Sequence, residues 1–140
     1  MTGDDLYNAA LKRLAATPIR PLPAPDATAT LFNPLCGDRV TIEVRLSDGR
    51  IAALGGTVKG CLLCQAAAAA LAELSAGRTP AEARELGPQA AAILAGAVPP
   101  PPVLEPFLPV RPFRRRHACV LLPFEALAEA MGAHSLENES

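Results

Sequence analysis

The chain has 140 residues, of which 50% are hydrophobic and 19% are charged. This length and composition predict a single globular domain over residues 1–140 with one apolar core. The formal net charge of -1 excludes the basic field that collects polyanions, so we expect no nucleic-acid partner. No apolar run approaches the roughly 20 residues of a membrane span, and Asp4 and Asp5 stand where a signal peptide is basic. We therefore expect a cytoplasmic protein without a membrane partner.

The first half of the chain predicts a helix followed by an antiparallel hairpin. Leucines at helical spacing predict a short helix over Asp4–Ala16, and the prolines of Pro18–Asp26 predict an extended connection. Apolar and polar residues alternate over Val40–Leu46, which is the pattern of a strand with one wet face. Ser47–Arg50 then predicts a hairpin turn into a second strand over Ile51–Val58.

Two further features belong to this sheet. Thr28–Phe32 predicts a third strand, and the pair Gly55-Gly56 indicates a bulge or a close approach of another backbone segment. A sheet with one polar face needs helices on its other face, so the sequence predicts an α+β fold with a three-stranded antiparallel sheet covered by several helices.

The second half of the chain is mostly helical by its pattern. An alanine-rich helix is predicted over Cys61–Ala76, and Thr79–Glu82 has the sequence of a capping box that starts the next helix. Gly87-Pro88 predicts a separate short helix that ends near residue 96. The prolines between residues 99 and 112 predict an extended, polyproline-like connection. A last helix is expected to begin at Cys119 and to end near Gly132, before a frayed tail over residues 134–140.

The chain has four cysteines, namely Cys36, Cys61, Cys64 and Cys119. A reducing compartment keeps thiols free, so clustered cysteines indicate metal or sulfur chemistry, although small buried hydrophobic residues are the alternative interpretation. Cys36 precedes the hairpin and Cys61 follows it, so the two are expected to be neighbours. Cys61 and Cys119 are predicted to open helices, where the helix dipole favours the thiolate.

Asp38 adds an oxygen ligand two residues after Cys36. Three thiolates and one carboxylate can complete a tetrahedral shell for zinc or can ligate a small iron–sulfur cluster. The carboxylate should hold a cluster more weakly than a fourth thiolate, which suits a site that must release it. Spacing alone leaves a metal site and unrelated buried cysteines as open alternatives.

Three neighbours of these residues have roles that the sequence leaves open. Cys64 follows Cys61 by one helical turn and is a packed residue, a redox partner or an additional ligand, with packing favoured. His117 is an additional candidate ligand if the chain is extended before Cys119. Arg116 belongs to a run of three arginines, which forms a solvated face, docks an acidic partner or stabilises an anionic persulfide.

The motifs resemble those of the NifU/IscU/SufU-like family of iron–sulfur assembly scaffolds. Asn33–Asp38 is similar to the family's NPxCGD loop, and Lys59–Cys61 before a small-residue helix is similar to its second cysteine motif. Gly77–Ala83 resembles its GKTxxEA segment, and Val110–Cys119 resembles the approach to its third cysteine. The long separation between the second and third cysteines is similar to the SufU-like branch. Ala118 stands where the IscU-like branch has a histidine.

The resemblance implies a compact α+β domain that binds zinc or a [2Fe-2S] cluster through Cys36, Asp38, Cys61 and Cys119. It implies that sulfur comes from a cysteine desulfurase of the SufS type and that clusters pass to downstream iron–sulfur acceptor proteins. In the zinc-dependent branch Cys36 would be the persulfide acceptor, and Arg116 falls where that branch has an arginine for docking on the desulfurase.

Three functions are compatible with these features. The first is a scaffold that assembles and releases a cluster, which is not an enzyme. The second is a zinc-dependent sulfurtransferase in which Cys36 accepts sulfur as a persulfide. The third is an interaction domain in which zinc only ties the hairpin to two helices, so that removal of the metal unfolds the chain.

Overall fold

The computed structural model describes residues 8–139, with side chains as far as Gly132. The start of the predicted first helix, residues 4–7, lies outside this range. Along the chain, the elements are α1 (Ala9–Ala15), β1 (Ala27–Asn33), β2 (Asp38–Ser47), β3 (Arg50–Lys59), α2 (Leu62–Ser75), α3 (Pro80–Leu94), a 3-10 helix (Pro102–Val110) and α4 (Arg114–Glu139). None of the helices in this range is long and apolar enough to cross a membrane.

The sheet is antiparallel with the strand order β1-β2-β3, which confirms the predicted α+β fold. Val40 pairs with Leu31 of β1 and with Val58 of β3, and alternate residues of β2 are buried as the sequence pattern predicted. The turn between β2 and β3 has positive φ at Asp48 and Gly49, which is the geometry of a type I′ hairpin turn.

The Gly55-Gly56 pair marks a close backbone approach rather than a bulge. The N–H of Gly56 donates a hydrogen bond to the carbonyl oxygen of Arg20 over 2.9 Å, so the proline-rich connection runs beside β3. A Cβ atom at Gly55 would lie 2.1 Å from the same oxygen. The irregularity in register lies instead between Arg45 and Leu46 of β2.

The helices cover the apolar face of the sheet and enclose one continuous hydrophobic cluster. Its largest fully buried side chains are Phe107, Phe124, Leu11, Ile42, Leu63, Leu71, Leu127, Met131, Val40, Val44, Val110 and Val120. Alanines on the buried face of α2 let its backbone approach α4 and the sheet closely. The core therefore draws on all three strands and on every helix.

The predicted capping box is confirmed at the start of α3. The N–H of Glu82 donates to the hydroxyl of Thr79 over 3.2 Å, and the N–H of Thr79 donates to the Glu82 carboxylate over 2.9 Å. The prediction of a new helix at Gly87-Pro88 is wrong, because α3 continues through Pro88 to Leu94. Its apolar side chains stay buried on both sides of the proline, and this packing outweighs the hydrogen bond that proline cannot donate.

The prediction of an extended segment over residues 99–112 is also wrong, because Pro102–Val110 forms a 3-10 helix. Leu104, Phe107 and Val110 follow one another at intervals of three residues, and all are buried. A 3-10 helix has three residues per turn, so this spacing puts all three side chains on one face.

The last helix begins at Arg114, not at Cys119, and it continues past Gly132 to Glu139. It thus includes most of the segment that the sequence predicted as a frayed tail. Pro123 lies inside it and is buried. Because Cys119 lies in the second turn, the prediction that it opens a helix is wrong, and the dipole argument does not apply to its thiol.

Candidate metal centre

The loop that carries Cys36 is shaped by Asn33. The side-chain oxygen of Asn33 accepts a hydrogen bond from the N–H of Leu35 over 3.1 Å, and its backbone oxygen accepts one from the N–H of Gly37 over 2.8 Å. Gly37 has a φ of 74°, which a residue with a Cβ adopts only with strain. These bonds hold Cys36 at the tip of the β1–β2 turn, where it is exposed.

Asp38 is the first residue of β2 and is almost fully buried. Its Oδ1 atom accepts a hydrogen bond from the N–H of Cys61 over 3.1 Å, which ties the start of the β2–β3 hairpin to its end. A Cβ atom at Gly60 would lie 2.6 Å from this oxygen, so the contact requires glycine there. The sequence argument that the hairpin brings Cys61 to the Cys36 loop is thereby confirmed.

Three donor atoms meet at this end of the sheet. The sulfurs of Cys36 and Cys119 and a carboxylate oxygen of Asp38 all lie within 4.8 Å of one another. The Cys119 thiol donates a hydrogen bond to the Cys36 sulfur over 3.6 Å. They line an open cavity of about 470 Å³ whose other wall residues are Gly37, Lys59, Gly60, Cys61 and Arg116.

The donor set fits a thiophilic metal ion or a small iron–sulfur cluster. Oδ2 of Asp38 is buried and has no hydrogen-bond partner among the described residues. A buried carboxylate oxygen without a partner is costly unless a cation or a donor reaches it. Two thiols and this oxygen together offer the ligand types that zinc and iron–sulfur clusters use.

Cys61 is the residue before α2, as predicted, and its side chain is partly buried in the cavity wall. Its sulfur is not part of the group of three donor atoms within 4.8 Å. The structure therefore brings Cys36, Asp38 and Cys119 together and leaves the Cys61 thiol beside them. Its role as the fourth ligand stays a prediction.

The two buried thiols favour their protonated forms. Burial raises the pKa of Cys119, and the hydrogen bond that it donates to Cys36 raises this pKa further. Burial also raises the pKa of Cys64, with smaller contributions from the charges of Asp38, Cys61 and Cys36. A metal ion that binds through Cys119 must therefore displace its proton.

Cys64 is fully buried and belongs to the hydrophobic core, as the packing interpretation predicted. His117 does not approach the donor cluster. Its Nε2 atom lies 3.2 Å and 3.0 Å from the carbonyl oxygens of Val110 and Arg111. The extended approach on which its ligand role depended is wrong, because residues two apart on a helix point to different faces.

The rim of the cavity is basic and partly apolar. Arg116 is exposed and lines the cavity. The neighbouring Arg114 and Arg115 are also exposed, at the start of α4. Leu35, directly before Cys36, is 92% exposed. Apolar side chains around a reactive group are typical of surfaces that contact another protein.

Sequence reasoning did not assign roles to two residues that shape this site. Asn33 builds the Cys36 turn, and asparagine at the start of a turn is the signal that could have identified it. Gly60 gives Asp38 room beside Cys61.

Comparisons with known proteins agree with this fold. The family model for the NifU-like N terminal domain matches residues 18–107, a region that contains Cys36, Asp38 and Cys61. The chain belongs to this family.

Two solved structures have the same fold. The N-terminal part of a nitrogen-fixing NifU-like protein from Brucella abortus matches with a TM-score of 0.84 and 32% identity, covering 98% of both chains. A protein from Fervidobacterium islandicum AW-1, described as the SUF-system scaffold SufU, matches with a TM-score of 0.81 and 23% identity, covering 93% of this chain and 99% of that one.

Two curated relatives from Archaeoglobus fulgidus, the iron–sulfur cluster assembly scaffold proteins IscU 1 and IscU 2, are each 32% identical over 74 residues. These residues are 53% of this chain and 48% of each relative. The match thus spans about half the length of these curated relatives.

Proposed function

We propose that this protein is an iron–sulfur cluster assembly scaffold. In this proposal Cys36, Asp38, Cys61 and Cys119 hold a nascent [2Fe-2S] cluster that is later passed to acceptor proteins. The observation that carries the proposal is the meeting of two thiols and a carboxylate oxygen of Asp38 within 4.8 Å, at a residue whose buried Oδ2 has no hydrogen-bond partner among the described residues. Family membership and the names of the Archaeoglobus relatives support it.

The open cavity supports a site that releases its cargo. Cys36 is exposed, whereas Asp38 and Cys119 are buried behind it, so iron and sulfide can enter and leave on one side. A single carboxylate among thiolates binds iron less tightly than a fourth thiolate would. In this proposal Asp38 is the ligand that dissociates first during transfer.

We propose further that sulfur arrives as a persulfide from a cysteine desulfurase. The exposed thiol of Cys36 is the acceptor, because an incoming persulfide can reach it without rearrangement of the core. Arg116 lies at the same cavity and carries a positive charge beside it. It therefore docks the desulfurase or stabilises the anionic persulfide.

A second candidate function is zinc-dependent sulfur transfer without cluster assembly. The exposure of Cys36 at a loop tip favours it, since a thiolate that leaves zinc can take up sulfur there. In this case zinc is the resident metal, and Asp38 and Cys119 retain it while Cys36 reacts. The protein would then be a sulfurtransferase that acts with its desulfurase.

The test is the amount of iron, acid-labile sulfide and zinc bound per chain after anaerobic incubation with a cysteine desulfurase, cysteine and ferrous iron. The scaffold proposal expects near-equal iron and sulfide, lost in Cys36→Ala. Zinc retained without labile sulfide would reject the scaffold and support sulfur transfer if Cys36 carries a persulfide. Arg116→Ala is expected to slow sulfur uptake without lowering zinc binding.

A further inference from the structure

Cys64 is a buried thiol that the proposed function does not use. It lies at the third position of α2, and Cys61 is the N-cap residue of the same helix. The proposed function makes Cys61 a ligand, whereas Cys64 lies in the core behind it. Cys61 thus connects the metal centre to Cys64, a second thiol that is not needed to bind the metal.

The fold itself shows that a side chain at either of these two helix positions can reach the backbone of the other position. Thr79 and Glu82 occupy the same positions at the start of α3, and each contacts the backbone of the other at 3.2 Å or less. The backbone of Cys61, with φ of -69° and ψ of 170°, closely matches that of Thr79, with φ of -75° and ψ of 162°. Two cysteines in this arrangement form a Cys-X-X-Cys pair at a helix N-terminus, the setting of redox-active dithiols.

Sulfur in a persulfide must gain two electrons before it becomes the sulfide of a cluster. We propose that Cys61 and Cys64 supply these two electrons by forming a disulfide, so that sulfide is released at the metal centre. This inference rests on the proposed arrival of persulfide sulfur at Cys36.

The first step moves sulfur without a change in redox state. The Cys61 thiolate attacks the terminal sulfur of the Cys36 persulfide. A sulfur–sulfur bond forms on Cys61, the bond to Cys36 breaks, and Cys36 leaves as a thiolate. Both residues line the same cavity.

The second step is the reduction. The sulfur of Cys64 attacks the Cys61 sulfur, a disulfide forms between them, and the terminal sulfur leaves with the electron pair of the broken bond. It also takes the proton of the Cys64 thiol and departs as HS⁻ or H₂S. Two thiols are oxidised and one sulfane sulfur is reduced, so the electrons balance. An external dithiol reductant returns the pair to the thiol state.

The donor set favours this pair over Cys36 and Cys119, although the sulfurs of Cys36 and Cys119 are only 3.6 Å apart. A disulfide between Cys36 and Cys119 would remove two of the three clustered donor atoms at the moment when sulfide appears. A disulfide between Cys61 and Cys64 leaves Cys36, Asp38 and Cys119 free to bind iron beside the released sulfide, and Cys61 becomes available as the fourth ligand once the external dithiol has reduced the pair.

The experiment uses the full, reduced, metal-free chain and a cysteine desulfurase that carries a persulfide and has been freed of cysteine. After anaerobic mixing without added thiol, persulfide on the chain, free sulfide and disulfide linkage are measured by mass spectrometry, sulfide assay and peptide mapping. Wild type should release about one sulfide per sulfur accepted, with a Cys61–Cys64 disulfide. Cys64→Ala and Cys64→Ser should keep the persulfide and release sulfide at least about tenfold more slowly.

The outcomes separate the two proposals. If neither wild type nor variant takes up sulfur, the persulfide part of the proposed function fails, and this inference fails with it. If both take up sulfur and release sulfide at equal rates, only this inference is overturned. A Cys36–Cys119 disulfide found by peptide mapping of the wild-type chain would also overturn this inference. That result does not depend on any variant. Circular dichroism of both variants establishes that they are folded.

Discussion

The N–H of Cys61 donates a hydrogen bond to Oδ1 of Asp38 over 3.1 Å, so one candidate ligand residue orients another. The bond joins the two ends of the β2–β3 hairpin, and Oδ2 of Asp38 has no hydrogen-bond partner in the described part of the chain. Ligating carboxylates are commonly held by such outer hydrogen bonds, which fix the oxygen that faces the metal. The orientation of Asp38 therefore depends on the backbone of residues 60 and 61.

Gly60→Ala is expected to abolish tight metal binding while the protein stays folded. The new Cβ would lie 2.6 Å from Oδ1 and 2.9 Å from Cγ of Asp38, so the carboxylate must move. Zinc affinity, measured by competition with a chromophoric chelator, should fall at least about tenfold.

Gly132→Ala is the matched control for Gly60→Ala, because a Cβ there would meet nothing within 4 Å and the residue lies inside α4. Alanine in place of a helical glycine should stabilise the protein by about 0.5–1 kcal/mol and leave zinc affinity unchanged. Equal zinc affinities of the two variants would contradict the role assigned to Gly60.

Asp38→Asn tests the carboxylate as a ligand. Asparagine keeps the shape of the side chain and an oxygen acceptor for the Cys61 N–H, but it removes the negative charge. We expect zinc affinity to fall by at least about tenfold, with little change in thermal stability of the metal-free chain. Unchanged zinc affinity would show that Asp38 does not bind the metal.

The sheet and two of the cysteine positions could be predicted from the sequence because local signals fix them. Alternation over Val40–Leu46 and the turn at Ser47–Arg50 determine the hairpin, and the hairpin determines that Cys61 returns to the Cys36 loop. No long-range packing has to be known for this inference.

The errors arose where tertiary packing outweighs local preference. Pro88 reads as a helix break, but the buried side chains on both sides of it hold α3 together. The prolines near Phe107 predict an extended segment, but the burial of Leu104, Phe107 and Val110 on one face stabilises a 3-10 helix there. The early start of α4 runs through the exposed residues Arg114–Arg116, and it gives His117 a helical position whose Nε2 lies 3.0 Å from the carbonyl oxygen of Arg111 and away from the site.

Leu35→Ser is expected to weaken coupling to the desulfurase. Its side chain is 92% exposed beside Cys36, so its loss removes apolar contact area without disturbing the core. When desulfurase activity is measured at varied concentrations of the chain, the variant should reach half-maximal stimulation at a higher concentration than wild type does. Val98→Ser is the control, because Val98 is also an exposed apolar side chain but lines a different cavity, together with Ile93 and Leu104. Equal effects of the two substitutions would reject a docking role for Leu35.

Removal of metal is expected to leave the fold intact. The hydrophobic cluster extends from Leu11 to Met131 and draws on every strand and helix, so the site is not the main source of stability. Chelation should preserve the far-ultraviolet circular dichroism and lower the free energy of unfolding only by the binding term, about 2.7 kcal/mol when zinc is at 100 times its Kd. Loss of helical signal on chelation would instead support the structural-zinc hypothesis.

The metal-free, reduced chain is expected to lose stability as pH rises above the ordinary thiol pKa of 9.0. Burial raises the pKa of Cys64 and of Cys119 in the folded state, so above pH 9 the unfolded chain releases protons that the folded chain keeps. Each such thiol lowers the free energy of unfolding by about 1.4 kcal/mol per pH unit in this range, and the contribution is fully present below pH 9. Urea titrations between about pH 8 and pH 10.5 would measure the slope. Cys64→Ala should reduce this slope by about half, because one of the two thiols is gone, and an unchanged slope would show that Cys64 ionises in the folded protein as it does in the unfolded chain.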